Sequence, residues 1–204
     1  MTNPVDAVVF DIGGVLLAWD PRLVYSQLID DPAEIDRFLA EVCTHEFNAE
    51  LDAGRSFDET CDELAAKHPA EAELVHAWKR QDEMIAGEVP GTAALVRALR
   101  ATGVPLYLLT NMPADVFRAR REHYDVLGQF DGAVVSGEEG VLKPSAAIFS
   151  ILRDRFGLEP GRTLFIDDAE VNVDGARAAG FLAHRFLDAP TLAAALAEHG
   201  LATS

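Results

Sequence analysis

Cysteine is scarce in this 204-residue chain, with Cys43 and Cys61 the only two. Two thiols cannot make a disulfide framework, and reduced side chains in a cytoplasm are the simpler expectation. Basic residues are few as well. Seventeen Lys and Arg stand against 34 Asp and Glu, a formal net charge of −17. That balance repels nucleic acid and acidic lipid, so neither is an expected partner, and an anionic substrate needs a local cation. No apolar run approaches the ~20 residues of a membrane span. Pro4 and Asp6 interrupt the residues before Phe10, so no secretory leader is expected. The six histidines are scattered, with no pair at zinc-ligand spacing. There is no internal repeat.

What the chain does have is 49% apolar and 25% charged residues, the make-up of a globular domain with a real core. Its most informative stretch is VVFDIGGVLL, residues 8–17. An apolar run ends on a lone carboxylate, Asp11, followed by Gly13 and Gly14. A buried strand ending on an acid and a glycine turn is how an open α/β sheet presents a reactive group to solvent. Three further short apolar runs read as parallel strands covered on both faces. Residues 104–109 (VPLYLL) end on Thr110 and Asn111, 132–135 (GAVV) on Ser136, and 163–166 (TLFI) on Asp167 and Asp168. Amphipathic segments at 91–100 and 147–156 alternate with them, and 181–186 and 189–199 read as a last strand and a closing helix.

Between residues 19 and 85 the strand signal vanishes. Helical segments are expected at 24–28, 33–42, 57–66 and 70–84, with Ser56 capping the third. The expected fold is therefore α/β: a doubly wound, Rossmann-like parallel sheet over residues 1–16 and 88–204, with a small helical cap, 17–87, inserted after the first strand. The cap would overhang the strand ends where Asp11, Thr110 and Asp167 converge.

Taken in order, FDIGGVL, LLTNMP, GVLKP and FIDDAEVNVDGARAAG resemble the four motifs of the haloacid dehalogenase-like hydrolase superfamily. The FDxGGVL form and the following WDP, Trp19 to Pro21, are similar to the branch containing bacterial α-glucose-1-phosphate phosphatases. The resemblance implies a Mg²⁺-dependent phosphatase acting on a small phosphorylated substrate, such as a sugar phosphate, through an aspartyl phosphate on Asp11. A carboxylate attacking phosphorus must overcome the negative phosphate oxygens, which a divalent cation makes feasible. Asp11, the Gly13 carbonyl and Asp167 would hold Mg²⁺, with Asp168 orienting a metal-bound water or Lys143. Lys143, Thr110 and Asn111 would fix and neutralise the phosphate.

Gly13 stands where many relatives of that superfamily carry a second acid. General acid–base help is worth about 10²–10⁴-fold, so its loss should be felt. Either the leaving group needs little protonation, or another residue stands in, or the protein is a poor catalyst. The stand-ins offered by the sequence are Asp20 and the cap residues His45, Glu46, Glu50 and Asp52.

Each residue has a plainer reading. Asp11 satisfies turn backbone groups, Thr110 and Asn111 start a helix, Lys143 is solvated, and Asp167 and Asp168 sit at a helix N-terminus. Asn172 and Asp174, which the resemblance places near the site, read as loop or cap residues rather than catalysts, and Trp19, Phe47 and Trp78 as cap packing. Two other functions fit the same motifs. A 2-haloacid dehalogenase uses this nucleophile without metal and tolerates Gly13, though the acid pair would hinder a carboxylate substrate. A non-catalytic binding protein would keep the fold alone.

Overall fold

A computed structural model describes residues 5–201, so the first four and last three residues of the expected core lie outside the described range. Five parallel strands form the main sheet, in the order β5-β4-β1-β6-β7. They are β1 (Ala7–Phe10), β4 (Leu106–Thr110), β5 (Gly132–Val135), β6 (Thr163–Asp167) and β7 (Leu182–Arg185). Side chains alternate across a strand, so β1 sends Val8 and Phe10 to one face and Val9 to the other. Val8 and Phe10 join Leu106, Leu108, Leu164 and Ile166, while Val9 joins Leu109, Val134 and Phe165. All of β1 is buried, which is why it reads as a continuous apolar run.

The helices of the core are α6 (Thr92–Thr102), α7 (Ala114–His123), α8 (Ser136–Glu139), α9 (Ala146–Phe156), α10 (Glu170–Ala178) and α11 (Ala189–Glu198). The crossovers place β1 at the centre of the sheet, between β4 and β6.

The intervening segment builds its own apolar cluster around Tyr25, Phe38, Phe47, Leu51, Cys61, Trp78 and Met84. Its helices are α1 (Arg22–Tyr25), α2 (Pro32–Glu41), α3 (His45–Asp52), α4 (Phe57–Lys67) and α5 (Ala72–His76). Asp31, Thr44 and Ser56 each accept a backbone N–H at the starts of α2, α3 and α4. Cys43 and Cys61 are both free and buried. Phe47 meets Trp78 edge-on at 5.6 Å, and Trp19 meets the same indole at 6.3 Å.

Three local expectations needed correction. The single helix expected over 70–84 is α5 between 3-10 turns, because Trp78 turns into the cap cluster. A two-stranded antiparallel ribbon joins β2 (Leu17–Trp19) to β3 (Ile85–Glu88), where only a helical segment and its return were expected. Helix α3, unanticipated, has only Phe47 and Leu51 as buried anchors, too few to mark a helical face in the sequence.

Candidate active site

The parallel register assembles the site. Phe10 pairs with Ile166, so the next residues, Asp11 and Asp167, leave neighbouring strands side by side. Asp11 donates its N–H to the Ile166 carbonyl at 2.9 Å, which fixes that exit. On the other flank of β1, β4 ends on Thr110, which is buried at the same rim.

Lys143 reaches in from the loop between α8 and α9. Its Nζ lies 2.9 Å from Asp11 Oδ1 and 2.7 Å from Asp167 Oδ2. Lys143 is 4% exposed and Asp167 0%, so these charges are out of water and depend on one another. Asn111 holds the lysine backbone by two hydrogen bonds. Its Nδ2 donates to the Lys143 carbonyl at 3.0 Å, and the Lys143 N–H donates to its Oδ1 at 2.8 Å. Asn172, on α10, donates to both oxygens of Asp167, at 3.0 and 3.2 Å, and Ala169 N–H donates to Oδ1 at 2.9 Å. Asn172 is thus a buried support of Asp167, a closer involvement than a loop or cap residue.

Burial pushes the Asp11 carboxyl up, to about 7, with Asp167 adding to the push and Lys143 opposing it. Burial also raises Asp168, again with Asp167 contributing. For Lys143 burial works downward, yet Asp11 and Asp167 together hold the ammonium above its ordinary range. Two acids thus share one lysine, and a third stands beside them. Asp11, Asp167 and Asp168 each offer an oxygen within 4.8 Å of the others. Oxygen donors around an excess of negative charge suit a hard divalent cation. Gly13 lines the same cavity, and its carbonyl accepts no hydrogen bond among the described residues.

That cavity, about 520 Å³, lies between the rim of the sheet and the helical cap. Asp11, Thr110 and Lys143 form its floor, and Trp19, Leu39 and Trp78 form much of its roof. Helix α3 divides the acid–base candidates by face. His45, Asn48 and Asp52, spaced by three and four residues, line the cavity. Glu46 and Glu50 share an exposed face, where Glu50 pairs with Arg55. Asp20 does not line the cavity either, because its Oδ1 accepts the Arg22 N–H at 2.9 Å. The sequence reading passed over Arg120, a buried guanidinium on α7 that also lines the cavity. It falls on the buried face with Val116 and Phe117, at helical spacing, so periodicity held the signal.

Open parallel sheets take their ligands at the carboxyl ends of the strands, and this chain is an α/β hydrolase with its acids gathered there. More particularly, the profile of the haloacid dehalogenase-like hydrolases matches residues 5–180, and the chain belongs to that family. The sesquiterpene phosphatase astK of Aspergillus oryzae is 26% identical over 189 residues, spanning 92% of this chain and 93% of that protein. A predicted HAD-like family hydrolase from Porphyromonas gingivalis superposes with a TM-score of 0.76 at 22% identity, covering 96% of this chain and 98% of the other. A HAD family enzyme of Bacteroides thetaiotaomicron, solved as a magnesium complex, gives 0.69 at 20% identity over 91% and 95%. L-2-haloacid dehalogenase from Xanthobacter autotrophicus gives 0.64 at 20% identity over 97% and 84%. These structures share the fold. Among the described residues no helix is long and apolar enough to cross a membrane.

Proposed function

We propose that this protein is a Mg²⁺-dependent phosphatase that acts on a small phosphomonoester through an aspartyl phosphate on Asp11. The observation that carries the reading is a cluster of three carboxylates, two of them paired with one buried lysine, at the floor of a capped cavity. The similarity to a phosphatase over nearly the whole chain supports it. So does the magnesium complex of a neighbour with the same fold.

Asp11 is the nucleophile of this proposal. Lys143 draws the negative charge of an incoming phosphate toward the Asp11 oxygens, acting as a point charge in a site shielded from water. The Thr110 hydroxyl holds a phosphate oxygen from the adjacent strand end. Asn111 fixes the backbone from which Lys143 extends, so its part is positional. Mg²⁺, held by Asp11, the Gly13 carbonyl and Asp167 with Asp168 alongside, would neutralise the charge between carboxylate and phosphate. The cap closes over the leaving group with aromatic and aliphatic side chains, and a sugar phosphate fits within its volume.

The experiment is phosphate release from p-nitrophenyl phosphate and a panel of sugar phosphates, with and without Mg²⁺. Release that needs the metal and is lost in Asp11→Asn is the expected result. Halide release from a 2-haloacid without metal would decide instead for a dehalogenase. Thermal stabilisation by phosphorylated ligands without any turnover would decide for a binding protein.

A further inference from the structure

Glycine at position 13 offers no carboxyl to a leaving oxygen, and the cap brings one, that of Asp52, to the lining of the same cavity. Of the three cavity-lining side chains on α3, His45 is exposed and Asn48 does not titrate. Asp52 is partly buried, and Lys143 and Arg120 both act on its carboxyl. We propose that Asp52 is the general acid–base of this site, serving from the cap the role that residue 13 cannot serve from the core. The assignment rests on the phosphatase reading above.

Asp52 belongs to the cap in sequence but is clasped to the core. Ser136 Oγ, at the start of α8, donates to the Asp52 carbonyl at 2.5 Å and accepts the Met112 N–H at 2.9 Å. Gly54 seals the same junction: a Cβ there would lie 2.8 Å from the Gly137 carbonyl oxygen. The backbone that carries this carboxyl is therefore tied to the segment that follows Thr110. Asn48 Nδ2 donates to Asp52 Oδ2 at 2.8 Å, which leaves Oδ1 to carry the proton. The charged groups facing it are Arg120 from α7 and Lys143 from the loop after α8. Burial raises the carboxyl to about 7 against their pull, so both protonation states are populated near neutrality.

The proton balance closes over one turnover. As Asp11 bonds to phosphorus, the bond to the leaving oxygen breaks with its electron pair, and that oxygen takes the proton of Asp52 and departs as an alcohol. Asp52, now a carboxylate, then takes a proton from water as the water oxygen bonds to phosphorus. The phosphorus–Asp11 bond breaks, restoring the Asp11 carboxylate and the protonated Asp52 and releasing phosphate.

The test is kcat/KM for phenyl, 4-chlorophenyl and 4-nitrophenyl phosphates, because the more basic phenoxide needs the proton more. Asp52→Asn is expected to lose on the order of 10²-fold on phenyl phosphate and little on 4-nitrophenyl phosphate, with Asp52→Glu regaining part of the loss. The wild-type enzyme gives a reading that needs no variant. The ionisation of Asp11 is common to every substrate, so the ratio of kcat/KM on phenyl phosphate to that on 4-nitrophenyl phosphate should fall as pH rises through about 7. Equal losses across the series, or parallel pH profiles, overturn the assignment alone. Wild-type enzyme that releases phosphate from none of the three overturns the phosphatase reading and this assignment with it.

Discussion

The Asp168 carboxylate lies against the α-carbon of Gly14, where an added methyl group would come within 2.4 Å of Oδ2. Gly14 also has φ +70°, a left-handed conformation costly to residues with a Cβ. Gly14→Ala is therefore expected to cost about 1–2 kcal/mol of stability. On the proposed metal site, it should also push Asp168 out of place and weaken stabilisation by Mg²⁺. Thermal melts with and without Mg²⁺ check this; an unchanged melting temperature and an unchanged response to the metal would count against it.

Lys143→Met leaves Asp11 and Asp167 buried without their shared ammonium. Breaking such a pair from one side typically costs about 3–5 kcal/mol. The variant should lose phosphate release, and Mg²⁺ should raise its melting temperature more than it raises that of the wild type. An equal or smaller rise would mean that the cation does not bind among these carboxylates.

Ser136→Ala removes the hydroxyl that spans the Met112 N–H and the Asp52 carbonyl. Leaving buried polar groups unpaired costs about 1–3 kcal/mol. Limited proteolysis should detect a loosened junction near residue 54 in the variant, and a cleavage pattern identical to the wild type would argue that the clasp is immaterial.

Stability should also report on Asp52 through pH. Burial raises its folded-state carboxyl to about 7, against an ordinary value of 3.8. Between those values the folded chain binds more protons than the unfolded one. Stability therefore falls as pH rises through the window and levels off above about 7. Asp52→Asn removes the Asp52 share of this dependence and leaves that of Asp11. Relative to the wild type, the variant should gain stability from about pH 4 to about pH 8, by at most a few kcal/mol. Denaturant melts across that range measure the difference, and a gap constant with pH would refute it.

The central strands were legible because they lie between two helical layers and are buried and apolar over most of their length. Residues 163–166 read as a strand and form most of β6, and the 132–135 run is β5 itself. The ribbon of β2 and β3 was not legible. Its strands are three and four residues long, and their pairing spans the whole cap, so no local pattern announces it. The sequence offered Asp20, His45, Glu46, Glu50 and Asp52 on equal terms. Which of these reach the cavity depended on the phase of α3, a helix with too few apolar residues to reveal its phase beforehand.

The order of residues along the chain was enough to settle the family and to nominate Asp11, Lys143 and Asp167. Chemistry of that kind sits at strand ends, and strand ends are written locally as an apolar run that stops at a polar residue. The side-by-side exit of Asp11 and Asp167, the burial that raises the Asp11 carboxyl, and the descent of Asp52 from the cap belong to the folded molecule alone. Each depends on contacts between segments far apart in sequence, and such contacts exist only after the sheet has taken its register and the cap has closed upon it.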